Sequence, residues 1–321
     1  MTQAGEPATG EGRRWRRVRV IWNAQAGQKG GIPTNRASRE ELLALLAEHG
    51  LADEVCDSSS ADDAAALATE AVRAGCDLVV AAGGDGTVGT VATQLLRTDT
   101  ALGVLPLGSI MNIARSLGVP RELPAAVEVL RTGEVRKIDV GQANERPFFE
   151  TGSVGMNAAM FREAQRFERG DWLSIARTVR VAFRYRPARL AVRLDDRLIR
   201  TRALMVTVSN GPYTGAAMTV APGARLDDGK FDVRIFRRFS KLQLLRHLAT
   251  IAFGRRQYAP EIATYRSTRV RVESAHPLPC RADSEDLGTT PVEFVTLPGA
   301  LRVVVPVPED RAPGAGLAPA G

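Results

Sequence analysis

Five consecutive residues, Gly83-Gly84-Asp85-Gly86-Thr87, combine three glycines with a carboxylate and a hydroxyl. Glycines let a backbone approach a ligand closely and adopt positive φ. The five stand between a buried-strand candidate, Asp77–Ala82, and apolar residues at helical spacing, Val88, Val91, Ala92, Leu95 and Leu96. A turn there presents outward amides at a helix start, where the dipole favours phosphate. Asp85 adds a carboxylate suited to holding Mg²⁺ or accepting a proton, and Thr87 a hydroxyl suited to capping or to phosphate. A purely structural turn would use the same residues, but the carboxyl edge of a buried strand is where open α/β sheets bind ligands. Two more turns share that edge: Pro106-Leu107-Gly108-Ser109 before Ile110–Arg115, and Asn23-Ala24-Gln25-Ala26-Gly27 after the first strand. Three such turns on one edge point to phosphate binding.

The elements that must carry these turns are legible. Val18–Trp22 is a short apolar strand, and Ser38 with Glu41 opens a helix that Gly50 ends. Ser60 with Asp63 opens another, stopping at Gly75. Leu102–Leu105 is the next strand and Ile110–Leu117 the next helix. This strand–helix rhythm predicts a parallel sheet with helices on its faces. Beyond residue 140 the pattern turns to strands: Ala191–Leu194, Leu204–Val208, Phe231–Phe236, Thr268–Glu273 and Leu301–Val307, interrupted by helical stretches at Phe161–Phe183 and Leu242–Phe253. The organisation predicted is a tail at 1–15, an α/β domain at 16–140, a β-rich domain at 141–308, and a tail at 309–321, with a cleft between the two domains.

Composition sets the outer bounds. The chain has 321 residues, 44% hydrophobic and 25% charged, which excludes bulk disorder. No apolar run approaches the ~18 residues of a membrane-spanning helix, and the first residues lack a signal core, so a cytoplasmic protein is expected. Cys56, Cys76 and Cys280 are too few and scattered for a disulfide framework or a zinc site. His49, His247 and His276 form no motif. The net charge is +7, and Phe161–Arg202 alone carries twelve Arg against five Asp+Glu. That region and the helix Leu242–Phe253, flanked by Lys241, Arg255 and Arg256, are candidates for transient contact with an anionic membrane at its inner face. Aromatic residues are 5% and no nucleic-acid-reading motif occurs, so no nucleic-acid partner is expected.

The ordered set Asn23…Gly27, Gly83–Thr87, Pro106–Ser109…Ala114-Arg115…Leu117-Gly118, Asn210-Gly211, Ala221-Pro222…Leu226-Asp227-Asp228-Gly229 and Asp283-Ser284-Glu285 resembles the diacylglycerol kinase catalytic family of soluble lipid kinases. The resemblance covers nearly the whole folded chain. It implies an NAD kinase-like α/β domain followed by a β-sandwich, and ATP- and Mg²⁺-dependent phosphorylation of a lipid hydroxyl, with diacylglycerol giving phosphatidic acid as the expected reaction of phospholipid synthesis. It further implies that Asn23, Gly83, Gly84, Asp85, Gly86, Thr87, Ser109 and Asn112 line the nucleotide pocket. Asp228, with the carbonyls of Arg225 and Lys230, would hold a structural Mg²⁺. Glu285 would accept the proton of the lipid hydroxyl, with Asp283 beside it and Asp85 across the cleft.

Three departures from that pattern stand out. Ala24 follows Asn23 where relatives have Pro, Ser284 stands where Gly is usual, and Asn112 replaces a carboxylate and so removes one candidate Mg²⁺ ligand. NAD kinase shares the Gly-Gly-Asp-Gly-Thr turn and is the rival enzyme. A non-catalytic nucleotide- or nucleic-acid-binding protein is the rival of another class.

Overall fold

The computed structural model describes residues 14–23, 38–168, 177–178, 180–181, 184–215, 218–237 and 262–308. Strand and helix alternate through β1 (Val18–Trp22), α1 (Arg39–Glu48), β2 (Glu54–Asp57), α2 (Ala61–Arg73), β3 (Leu78–Gly83), α3 (Asp85–Gln94), β4 (Ala101–Pro106), α4 (Asn112–Ser116) and α5 (Leu123–Thr132). The expected caps form. Ser38 accepts from the Glu41 amide and the Glu41 side chain returns to the Ser38 amide, closing a capping box. Ser60 caps α2, and Gly75 beyond its end takes φ +72°. Strands β2, β1, β3 and β4 pair in that order, all in parallel. Every residue of β1, β3 and β4 is buried, as expected for strands with helices on both faces.

The second half runs β5 (Glu134–Ala143), β6 (Arg146–Phe148), β7 (Thr151–Gly155), α6 (Met156–Glu168), β8 (Ala188–Leu194), β9 (Arg197–Ala203), β10 (Met205–Ser209), β11 (Tyr213–Thr214) and β12 (Met218–Thr219). It continues with β13 (Phe231–Phe236), β14 (Ile262–Ser267), β15 (Arg269–Ser274), β16 (Pro279–Ala282), β17 (Glu285–Thr289) and β18 (Val292–Val305). An antiparallel sheet in the order β14-β13-β10-β7-β16-β17 packs against the β15-β8 part of the first sheet. Phe148 seals the interior, stacked on Phe231 at 5.7 Å and edge-on to Phe294 at 5.9 Å. The α/β domain and the β-sandwich are both present.

Strands β5 and β18 run through both domains. They pair antiparallel from Phe294–Ala143 to Val305–Glu134, with a register shift between Leu297 and Leu301. The start of β18 pairs with β15 in the sandwich, while Val303 lies parallel to Leu102 of β4. Leu301, Val303, Val304 and Val305 fill the first core. Residue 140 therefore falls inside an unbroken strand, and the end of β18 packs in the first core. A strand of fourteen residues is long enough to reach across both cores. Asp139 holds the irregularity in place: Oδ1 accepts from the Gly299 amide at 2.8 Å, Oδ2 from the Gly229 amide at 2.6 Å.

Other expectations meet local differences. The helix expected from Val88 begins at Asp85, because Gly84 takes the extended N-cap conformation. The helix expected over Ile110–Leu117 shrinks to α4, because Met111 adopts a left-handed conformation (φ 58°) at its N-cap. The helix expected from Phe161 starts earlier, at Met156. Most of its predicted latter part, the stretch Leu242–Phe253, Gly27 and His247 lie outside the described residues, as do 1–13 and 309–321. His49 ends α1, its Nδ1 2.9 Å from the Leu45 carbonyl. Cys280 is buried, and burial pushes its thiol up to about 12.

Candidate active site

The two glycine-bearing turns of the first domain touch backbone to backbone. A Cβ on Gly108 would stand 2.7 Å from the Gly84 Cα, and one on Gly83 would stand 2.7 Å from Thr87 Cβ. Neither position has room for a side chain. Around Gly86, by contrast, nothing lies within 4 Å of where a Cβ would sit, so its backbone is open to a ligand. Asn23 at the end of β1 donates through Nδ2 to Thr87 Oγ1 at 3.1 Å, joining the third turn to the first. Ser109 is half-buried in the turn between β4 and α4. The glycine cradle thus fits a phosphate chain. Gly108→Ala is expected to cost about 1–3 kcal/mol through forced separation of the turns. Thermal melts check this; wild-type melting would refute it.

Asp85 is anchored to the second turn through both carboxylate oxygens. Its Oδ2 accepts from the Asn112 amide at 3.0 Å and its Oδ1 from the Ile113 amide at 2.9 Å. The carboxylate therefore caps α4 and holds the second turn in position. Burial pushes its pKa up, and the amides of Ile113, Asn112 and Met111 pull the other way. These two bonds give Asp85 a positioning role beside the expected one of holding metal or a proton.

Asn112 carries the contact on to the second domain. Its Nδ2 donates to Glu150 Oε2 and to the Gly215 carbonyl, both at 2.9 Å, and its buried Oδ1 has no hydrogen-bond partner. Asp283, between β16 and β17, accepts from the amides of Phe149, Glu150 and Thr151 at 2.7, 2.9 and 2.9 Å. Arg281 donates to the Asp283 carbonyl at 2.7 Å and lies over the Phe161 ring at 4.2 Å. Asp85, Asn112, Glu150 and Asp283 therefore form one chain of contacts across the interdomain cleft.

Glu150 is the member that sequence reasoning missed. It has no motif around it; its importance arises only because Asp283 gathers its amide. Burial, then the neighbouring Asp283 and Asp85 charges, push its carboxyl up to about 9, against the opposing pull of Asn112 and Arg281. A folded-state pKa raised above the unfolded carboxyl value means that the native state holds the extra proton. The stability this contributes is fully present below the unfolded pKa and is lost as pH rises towards 9. Glu150→Gln is therefore expected to raise the melting temperature at pH 8, with the gain shrinking towards pH 5. A gain that does not depend on pH would contradict this.

Glu285 stands apart from this chain. Its side chain is 60% exposed and its carboxylate pairs with Arg146 at 3.2 Å, at the rim where the β5–β6 hairpin meets β17. Arg225, Asp228 and Lys230 share a turn that Asp139 ties down at Gly229. Asp228 accepts from the Lys230 amide at 3.0 Å and is ion-paired with Arg266. The turn carries two carboxylates, Asp227 paired with Arg225 and Asp228 paired with Arg266, and the Asp228 Oδ2 is buried. Among the described residues no cluster of three or more His, Cys, Asp or Glu side chains could hold a metal.

Known proteins of similar sequence and shape align along most of this chain. Residues 17–143 match the family described as the diacylglycerol kinase catalytic domain, and residues 151–305 the YegS C-terminal NAD kinase beta sandwich-like domain. The chain is 28% identical to a diacylglycerol kinase of Bacillus subtilis (strain 168), over 91% of this chain and 97% of that protein. It is also 28% identical to the lipid kinase YegS of Escherichia coli (strain K12), over 86% and 94%. In fold it is similar to a crystal structure of a diacylglycerol kinase from Bacillus anthracis str. Sterne, with a TM-score of 0.70 at 20% identity over 91% and 97% of the two chains.

Proposed function

Because the chain belongs to the diacylglycerol kinase and YegS family of lipid kinases, we propose that it transfers the γ-phosphate of ATP to a lipid hydroxyl, with diacylglycerol as acceptor and phosphatidic acid as product. The observation that carries this reading is the Asp85–Asn112–Glu150 chain of hydrogen bonds. It joins the phosphate-side turns of the first domain to the acidic turn of the second across one cleft.

Phosphoryl transfer demands positioning and charge neutralisation more than covalent chemistry. The backbone of Gly84 and Gly86, with Thr87, Asn23 and Ser109 alongside, would hold the ATP phosphates, and Mg²⁺ bound with ATP would spread their charge. Asp85 keeps the turn 108–112 in register with them. The lipid hydroxyl approaches from the rim. Glu285 accepts its proton as the hydroxyl oxygen bonds to the γ-phosphorus, and the bond to the β–γ bridging oxygen breaks to release ADP. Asp283 fixes the turn from which Glu285 projects. Burial and the Asp283 and Asp85 charges hold Glu150 protonated and uncharged against the pull of Asn112, which keeps a further anion away from the triphosphate.

The test is transfer of labelled γ-phosphate to a panel of lipid alcohols in mixed micelles, with NAD⁺ included as a competing acceptor. Labelling of diacylglycerol supports the reading. Labelling of another lipid moves the substrate within the family, and labelling of NAD⁺ alone overturns the assignment.

A further inference from the structure

The sheet face that β8, β9 and β15 turn away from the core is strongly basic. The inward residues Leu190, Val192 and Leu194 are buried, so their neighbours Arg189 and Arg193 point outward, in line with Arg200 and Arg202 of β9. All four arginines are exposed, and none forms an ion pair among the described residues. Arg189 lies directly opposite Arg202 in the strand register. Like charges placed directly across a strand pair are destabilising. Arg271, opposite Arg193, is by contrast paired with Glu273 at 2.7 Å. Arg189, Arg200 and Arg202, with Ser274 and the single acid Glu273, line an open groove of about 530 Å³, and Glu273 is already paired with Arg271. Leu198, opposite Arg193 on the same face, is one of two large apolar side chains exposed among the described residues.

We propose that this face docks on an anionic lipid bilayer, the groove taking lipid phosphate groups between Arg189, Arg200 and Arg202 and Leu198 entering the interface. The choice of a bilayer as occupant rests on the lipid-kinase reading, and the charge complementarity and the outward Leu198 are independent of it. Phosphate relieves the repulsion that Arg189 and Arg202 exert on one another. One sheet face brings several arginines to a surface at once, and a leucine among them suits an interface that is apolar just below its charge. Contact through weak, additive charges is readily reversed by salt.

The experiment is co-sedimentation of the full chain with phosphatidylcholine vesicles, with and without phosphatidylglycerol, for the wild type and for Arg189→Ala/Arg200→Ala/Arg202→Ala. Each basic residue near an anionic surface is worth about fivefold in binding, so the triple variant is expected to bind phosphatidylglycerol vesicles about 10²-fold more weakly. Leu198→Ser is expected to weaken binding without altering its salt dependence. Phosphorylation of a short-chain diacylglycerol dispersed in neutral detergent is expected to be unchanged in both variants. Equal binding of wild type and triple variant, equal binding to both vesicle types, or retention on a DNA duplex in place of vesicles would overturn the proposal. Vesicle binding requires no turnover. Charge-selective binding without labelling of any lipid would therefore retire the kinase reading and leave the surface standing.

Discussion

Glu285→Gln is expected to lower kcat by about 10²–10⁴-fold, the usual contribution of a positioned general base, with the fold and ATP affinity unchanged. The side chain is more than half exposed and its partner is the equally exposed Arg146. Such a surface pair contributes little to stability, so lost activity would report chemistry and not unfolding. Arg146→Ala supplies the control, with an expected change well under tenfold. Single-turnover transfer with saturating ATP separates the chemical step from binding. A Glu285→Gln enzyme that keeps more than a tenth of wild-type kcat would move the proton acceptor elsewhere.

Asp283→Ala is expected to cost at least about 3 kcal/mol and to abolish activity. The carboxylate satisfies three consecutive amides, those of Phe149, Glu150 and Thr151. Each buried donor left without a partner costs about 1–3 kcal/mol, against a total stability of about 5–15 kcal/mol for a typical domain. Asp283→Asn keeps an acceptor oxygen and should recover part of the loss. Because the Asp283 charge helps to raise the Glu150 carboxyl, the Asn variant should also lower the pH at which Glu150 ionises. Urea denaturation across pH measures both effects. A small loss of stability in the Ala variant would show that the three amides find water instead.

Much of the first domain was legible because its signals are local. The capping box at Ser38–Glu41 needs only residues three apart, and the apolar runs of β1, β3 and β4 read as buried strands because helices cover both faces. The glycine turn was found for the same reason. What Asp85 does with its carboxylate was not legible, since the amides of Asn112 and Ile113 come from a separate turn. Glu150 carried no signal at all: it lies in the ordinary run Phe148-Phe149-Glu150-Thr151, and only tertiary contact with Asn112 and Asp283 makes it part of the site. Asp139 did leave a trace, a lone acid between Ile138 and Val140 in an apolar stretch. The sequence pattern of β5 and β18 hid their length, because a strand shared by two cores changes the side it buries where the register shifts.

That shared strand bears on how the polypeptide is made. Until β18 arrives, β4 has an unpaired edge, and the first core lacks Leu301, Val303, Val304 and Val305. At ~5–20 residues per second, translation from Pro106 to Val305 takes roughly 10–40 s. Throughout that interval the nascent amino-terminal half exposes an apolar strand edge, the kind of surface that invites mispairing. Folding must therefore await nearly the whole translated chain, and a chaperone that shields this edge during synthesis would raise the yield of active protein. A gene fragment ending near residue 143 would encode an insoluble product.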